Sequence, residues 1–103
     1  MLVSGSEDKS VRLWDLATGK TIATLNGHDG PVWAVAYHPE GKTVASGGVD
    51  GLIKLWDVTS GKVTATLNGH TCDVLGLTYA LNGRVLVSGS WDRTIKVWEV
   101  TPK

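Results

Sequence analysis

The chain repeats itself. Shifted by 42 residues and laid over itself without a gap, residues 1–61 meet residues 43–103 with 25 identities in 61 pairs. Trp14, Trp56 and Trp98 coincide, as do Ser4, Ser46 and Ser88, and Asp8, Asp50 and Asp92. Gly27-His28 falls on Gly69-His70. A fixed period of this length means one supersecondary unit, copied and stacked, because a single copy cannot bury its own apolar surface.

The unit reads as all-β. Val32–His38, Thr43–Gly48, Leu52–Val58 and Lys62–Leu67 are short runs rich in Val, Ile, Leu and Thr, and are assigned as strands a, b, c and d. Between them stand turn sequences, "PEGK", "VDG", "TSGK" and "NGHTCD". Gly41 and Gly83 are expected to supply positive φ in the a–b hairpin, and Gly19 and Gly61 in the c–d hairpin. No helical period of useful length is present. Runs such as "TVASGG" and "VLVSGS" are small or apolar on both faces, which suits sheets covered on both sides by neighbouring copies.

The Gly-His and Trp-Asp dipeptides, the "SGS-x-D" turn and the 42-residue period resemble WD40 repeats, and the resemblance spans essentially the whole chain. It implies a β-propeller, in which four-stranded antiparallel blades stand radially around a channel and dock other proteins. The copy number departs from that pattern. The strands run b-c-d, a-b-c-d, a-b-c, which makes an incomplete blade at 1–25, a full blade at 31–67 and an incomplete blade at 73–100, where Glu99 replaces the usual Asp. Closed rings have roughly four to eight blades. The chain therefore reads as a piece of a longer propeller, or as a unit that completes one by self-association.

The resemblance also implies a buried hydrogen-bond relay of Trp in strand c, Ser in strand b, His before strand a and Asp in the b–c turn. The second unit carries it as Trp56, Ser46, His28 and Asp50, the third as Trp98, Ser88, His70 and Asp92, and the first retains Trp14, Ser4 and Asp8. Donor and acceptor chemistry agrees: an indole only donates, a hydroxyl does both, a neutral imidazole does each once, and a carboxylate only accepts. A Ser-His-Asp hydrolase triad has the same residue types. Against it stand the recurrence of the set, an indole aimed at each serine, and the absence of a G-x-S-x-G elbow. No catalytic residue is assigned. No metal site is expected either, since the three histidines and Cys72 lack zinc-ligand spacing, and no cofactor is implied. His38 is expected to be exposed beside Pro39.

Three positions per unit form the partner face that the resemblance implies, two of them three and five residues after the His and one just before the Asp. Here they are Glu7, Pro31, Trp33, Val49, Asp73, Leu75 and Trp91. Large apolar side chains at such positions suggest a protein interface. The competing expectation has Trp33 and Trp91 packed inside. Arg12, Lys54 and Lys96 share one strand c position, where their stems are expected to cover apolar neighbours.

Charge and length narrow the partner class. Ten basic and ten acidic residues cancel, and the basic ones are dispersed, which argues against nucleic acid as the main partner. No run is long enough to span a membrane. One cysteine excludes an internal disulfide and suits a cytoplasmic protein. The leading expectation is a non-catalytic scaffold that binds proteins or peptides. The alternatives are a self-assembling homo-oligomer and a propeller appendage of a multidomain signalling enzyme.

Overall fold

Ten antiparallel strands form three sheets in the computed structural model, which describes residues 2–6, 8–28, 30–49 and 51–100, with Leu2 described in its backbone alone. The first sheet is β1 (Leu2–Gly5), β2 (Ser10–Trp14) and β3 (Thr21–Asn26). The second is β4 (Val32–Tyr37), β5 (Thr43–Gly48), β6 (Leu52–Asp57) and β7 (Val63–Asn68). The third is β8 (Val74–Ala80), β9 (Val85–Ser90) and β10 (Ile95–Glu99). The only helical feature among the described residues is a 3-10 turn at Leu81–Gly83. The fold is thus all-β, with blades in the order b-c-d, a-b-c-d, a-b-c.

Strand register explains why Ser and Trp recur ten residues apart. Ser46 pairs with Lys54, and Val44 pairs with Trp56. Ser88 and Lys96, then Leu86 and Trp98, repeat this pairing, as do Ser4 and Arg12 in the first sheet. Each Ser and Trp are therefore diagonal neighbours on one face, a separation that a long indole can bridge.

That face packs against the preceding sheet. Val11, Leu13 and Leu25 of the first sheet share a buried cluster with Val32, Val44 and Trp56 of the second. Ala34, Ala45 and Ile53 of the second share another with Val74 and Leu86 of the third, and Trp98 packs against it. Glycine makes the approach possible. A Cβ on Gly47 would stand 2.8 Å from Val74 Cγ1, and one on Gly5 would stand 2.7 Å from Val32 Cγ1. The Val32 N–H donates to the Ser6 carbonyl at 2.9 Å, so backbone also crosses the first seam.

Two bulges at equivalent places shape the next part of the structure. Val32 pairs with Gly48 and Ala34 with Gly47, which leaves Trp33 as the extra residue. Val74 pairs with Ser90 and Gly76 with Gly89, which leaves Leu75 as its counterpart. A bulge breaks strict alternation and re-aims the extra side chain. Gly19, Gly41, Gly61 and Gly83 all take positive φ, and so do Lys9 and Arg93 in the b–c turns.

His38 departs from expectation. It is half-buried rather than exposed, and it bridges the second and third blades. Its Nδ1 accepts the Glu40 N–H at 3.0 Å, and its Nε2 donates to the Gly83 carbonyl at 3.2 Å. Its ring meets Tyr79 edge-on at 5.0 Å. The a–b hairpin lies against the next blade, so a residue that a single unit would leave in water is covered by its neighbour.

Replacing Gly47 with alanine should cost about 1–3 kcal/mol, because the added methyl overpacks the seam. Val74→Ala should recover part of that loss when combined with it. A double-mutant cycle in urea unfolding measures the coupling, and a zero coupling energy would count against this account of the seam.

Candidate functional site

The buried relay is built from two strands and one loop. In the second blade, Trp56 Nε1 donates to Ser46 Oγ at 2.7 Å, and Ser46 Oγ lies 2.6 Å from His28 Nε2. Ser46 has no exposed surface and Trp56 has 1%. An indole cannot accept, so the serine oxygen accepts from it, and the same hydroxyl makes its second contact with His28 Nε2. Asp50, the fourth expected member, lies outside the described residues.

The third blade shows all four. Trp98 Nε1 donates to Ser88 Oγ at 2.9 Å, and the Ser88 hydroxyl meets His70 Nε2 at 2.7 Å. His70 Nδ1 then donates to Asp92 Oδ2 at 2.8 Å. The same carboxylate accepts the Thr71 N–H at 3.1 Å and the Thr94 N–H at 2.9 Å, along with the Thr94 hydroxyl. In the first blade, Trp14 donates to Ser4 at 2.9 Å. Asp8 does not join them. It accepts from the Ser10 N–H and hydroxyl, and it pairs with Arg12 at 3.2 Å.

Two glycines belong to this site although their role was not read from the sequence. A Cβ on Gly27 would lie 2.9 Å from Trp56 Cη2, and one on Gly69 would lie 2.8 Å from Trp98 Cη2. The glycine before each relay histidine lets the loop lie over the indole. The recurring Gly-His dipeptide was the available signal. Lys96 also covers this glycine, with its Cδ and Cε both 3.4 Å from the Gly69 Cβ position.

The loops that carry the relay continue into an exposed face. Pro31 is half-buried and its carbonyl accepts the Val49 N–H at 3.2 Å. In the next blade the Asp73 carbonyl accepts the Trp91 N–H at 3.1 Å. The b–c turns thus lie against the d–a loops. Trp33 reaches from one blade to the next, and its Nε1 donates to Asp73 Oδ2 at 2.9 Å. Trp33, Val49, Leu75 and Trp91 are exposed at 43%, 42%, 41% and 66%. Trp33, Asp73 and Trp91 form one connected group, Pro31 and Val49 form a second, and Leu75 stands on its own bulge. Glu7 lies outside the described residues.

The profile of the WD domain, G-beta repeat, matches residues 1–15, 19–57 and 61–99. The chain belongs to the WD40 family. Over 45 residues, 44% of the chain, this WD40 segment is 51% identical to a Lissencephaly-1 homolog of Dictyostelium discoideum, of which that stretch covers 11%. It is 56% identical over 41 residues, 40% of the chain, to the Nuclear distribution protein PAC1 of Coprinopsis cinerea, covering 9% of it. It is 54% identical over 41 residues, again 40% of the chain, to a Lissencephaly-1 homolog of Branchiostoma floridae, covering 10% of it. The matched stretch thus spans about a tenth of these curated relatives. Among the described WD40 residues, no group of three His, Cys, Asp or Glu side chains is placed to hold a metal ion, and no helix is long and apolar enough to cross a membrane.

Two carboxyls of this WD40 segment are depressed, and one of them belongs to the relay. The Thr94 hydroxyl above all, then His70 and the Thr71 and Thr94 N–H groups, hold the Asp92 carboxyl well below the usual carboxylate range. The Ser10 hydroxyl and N–H, with a smaller contribution from Arg12, lower Asp8 in the same sense. A carboxyl depressed in the fold stabilises it above its unfolded pKa, and that contribution is lost as pH falls through the folded value. Asp92→Asn should therefore lower the melting temperature at pH 7, and the gap to wild type should narrow below the unfolded value of 3.8. Thermal melts at stepped pH check this. A gap that stays constant into acid would show that Asp92 does not act through its charge.

Proposed function

We propose that this WD40 segment is part of a non-catalytic scaffold that docks other proteins or peptides on the face formed by its b–c turns and d–a loops. The observation that carries the reading is the exposure of Trp33 and Trp91 at 43% and 66%, on a strand bulge and a b–c turn next to the relay segments. Clusters of exposed aromatic and aliphatic side chains mark protein interfaces, and tryptophan is enriched among the residues that dominate their energetics. The hydrolase alternative is disfavoured because Ser46 and Ser88 have no exposed surface and each accepts an indole N–H. A nucleophile so enclosed cannot meet a substrate carbonyl. The partner class is protein or peptide rather than nucleic acid or membrane, in keeping with a net charge of zero. A single free thiol, Cys72, suits a reducing cytoplasmic setting.

In the full-length protein, a Trp33→Ala/Trp91→Ala double variant should reduce recovery of its bound partner by roughly tenfold or more while the fold is kept. Pull-down with circular dichroism checks this, and unchanged recovery would overturn the proposed face.

A second reading rests on the outer surface of β10. Ile95 and Val97 are exposed at 76% and 67%, whereas the equivalent Val11, Leu13 and Ile53 are fully buried beneath the next blade. Another blade covers this surface, either from a longer chain or from a second copy. Light scattering on the 103-residue chain separates the two. A discrete oligomer favours self-assembly, and a cooperatively folding monomer sinks it.

A further inference from the structure

The docking face is chemically uneven. We propose that Trp33, Asp73 and Trp91 together receive an arginine side chain presented by a peptide segment of the partner protein. The inference rests on the docking reading above and names the chemistry of its occupant.

The Trp33 indole is pinned before any ligand arrives. Its N–H is taken by Asp73 Oδ2 at 2.9 Å, so the ring has no polar edge left to satisfy, and its π-face is what it offers. Preorganisation of this kind removes the ordering cost of binding. Asp73 also places the second tryptophan, because its backbone carbonyl accepts the backbone N–H of Trp91 at 3.1 Å. Both tryptophans are thus tied to Asp73, one through its indole and one through its backbone, and both are well exposed. A carboxylate has about four acceptor sites, and among the described residues the Trp33 indole is the one side chain that bonds this one.

Charge points the same way. The stretches that join b to c and d to a contain Glu7, Asp8, Asp29, Asp50, Asp73 and Asp92, six of the ten acidic residues, but only Lys9 and Arg93 of the ten basic ones. Asp92 is engaged with His70 and Thr94, and Asp8 with Ser10 and Arg12. Among the described residues, the Asp73 carboxylate is held by a neutral indole alone. These stretches are net acidic in sequence, which favours a cationic occupant over phosphate or an acidic peptide.

Guanidinium fits this combination better than ammonium. It is planar, stacks on an indole face and donates in its own plane to a carboxylate. An ammonium is a strongly hydrated point charge that does not stack. Val49 and Leu75 are also exposed, on the neighbouring turn and bulge, which favours a peptide over the free amino acid.

Fluorescence polarisation with the full-length protein tests the proposal. The probes are three fluorescein-labelled peptides of one Gly-Ala frame, carrying arginine, lysine or citrulline at the same positions. The arginine peptide should bind about tenfold tighter than the citrulline peptide, and tighter than the lysine peptide. Asp73→Asn and Trp91→Ala should each weaken the arginine peptide by about tenfold. If Asp73→Asn also lowers the melting temperature, Trp91→Ala, which alters an exposed side chain, decides the matter. Equal binding of the arginine and citrulline peptides would overturn the inference, and so would an unaffected Trp91→Ala variant. If the arginine peptide fails while the Trp33→Ala/Trp91→Ala variant still loses its partner, only this inference falls. If that variant keeps its partner, the docking reading falls as well.

Discussion

An indole N–H buried between two sheets must find an acceptor, and much of the structure follows from how this chain meets that demand. Trp56 and Trp98 face the preceding blade, the first fully buried and the second half-buried. Leaving such a donor unpaired costs about 1–3 kcal/mol. Strand register sets a serine diagonally opposite, and the serine then needs somewhere to send its own hydrogen. The histidine accepts it, and in the third blade the aspartate takes the proton on the far side of the ring. Each member fixes the next, so the relay ties strand c to strand b and ties both to the loop entering strand a. The same indole fills the seam between blades, beneath a glycine that leaves room for it. One interaction thus organises the inside of a blade and its contact with the blade before.

The exposed face is the other end of the same segments. Three residues beyond the relay histidine come Pro31 and Asp73, whose carbonyls hold the tips of the b–c turns. Two residues further come Trp33 and Leu75, turned outward by bulges. Just before the relay aspartate positions come Val49 and Trp91. A partner meeting these side chains meets groups whose backbones are fixed from beneath.

Much of this was legible in the sequence because a repeat reports its own register. The 42-residue step located ten strands and their order, and the resemblance to WD40 repeats named the residues of the relay. What escaped was set between units or by local backbone geometry. His38 looks exposed within one unit and is covered only when the next blade is in place. The bulges at Trp33 and Leu75 leave no mark in an alternating pattern, since Val32 and Ala34 still read as inward residues on either side. Lys9 and Arg93 take the left-handed backbone that Gly51 takes in the middle unit, although nothing in a lysine or an arginine announces it. Asp8 aligns with Asp92, yet it turns to Ser10 and Arg12, because alignment compares residue types and not the partners available to them.

The pairing of Trp33 with Asp73 shows where specificity arises in a repetitive frame. It needs a tryptophan five residues after one histidine and an aspartate three residues after the next. Leu75 occupies the first of these positions in the following unit and cannot donate, while Pro31 occupies the second in the preceding unit and has no carboxylate. The relay glycine, histidine, serine and tryptophan are identical wherever both copies are present. The face residues Pro31, Trp33 and Val49 differ from Asp73, Leu75 and Trp91 at all three positions. Repetition is kept where blades must stack. It is abandoned where the surface meets solvent, and the Trp33, Asp73 and Trp91 group exists once among the described residues because it is assembled from those differences. A site built this way is asymmetric on a symmetric scaffold, which is what recognition of one particular side chain requires.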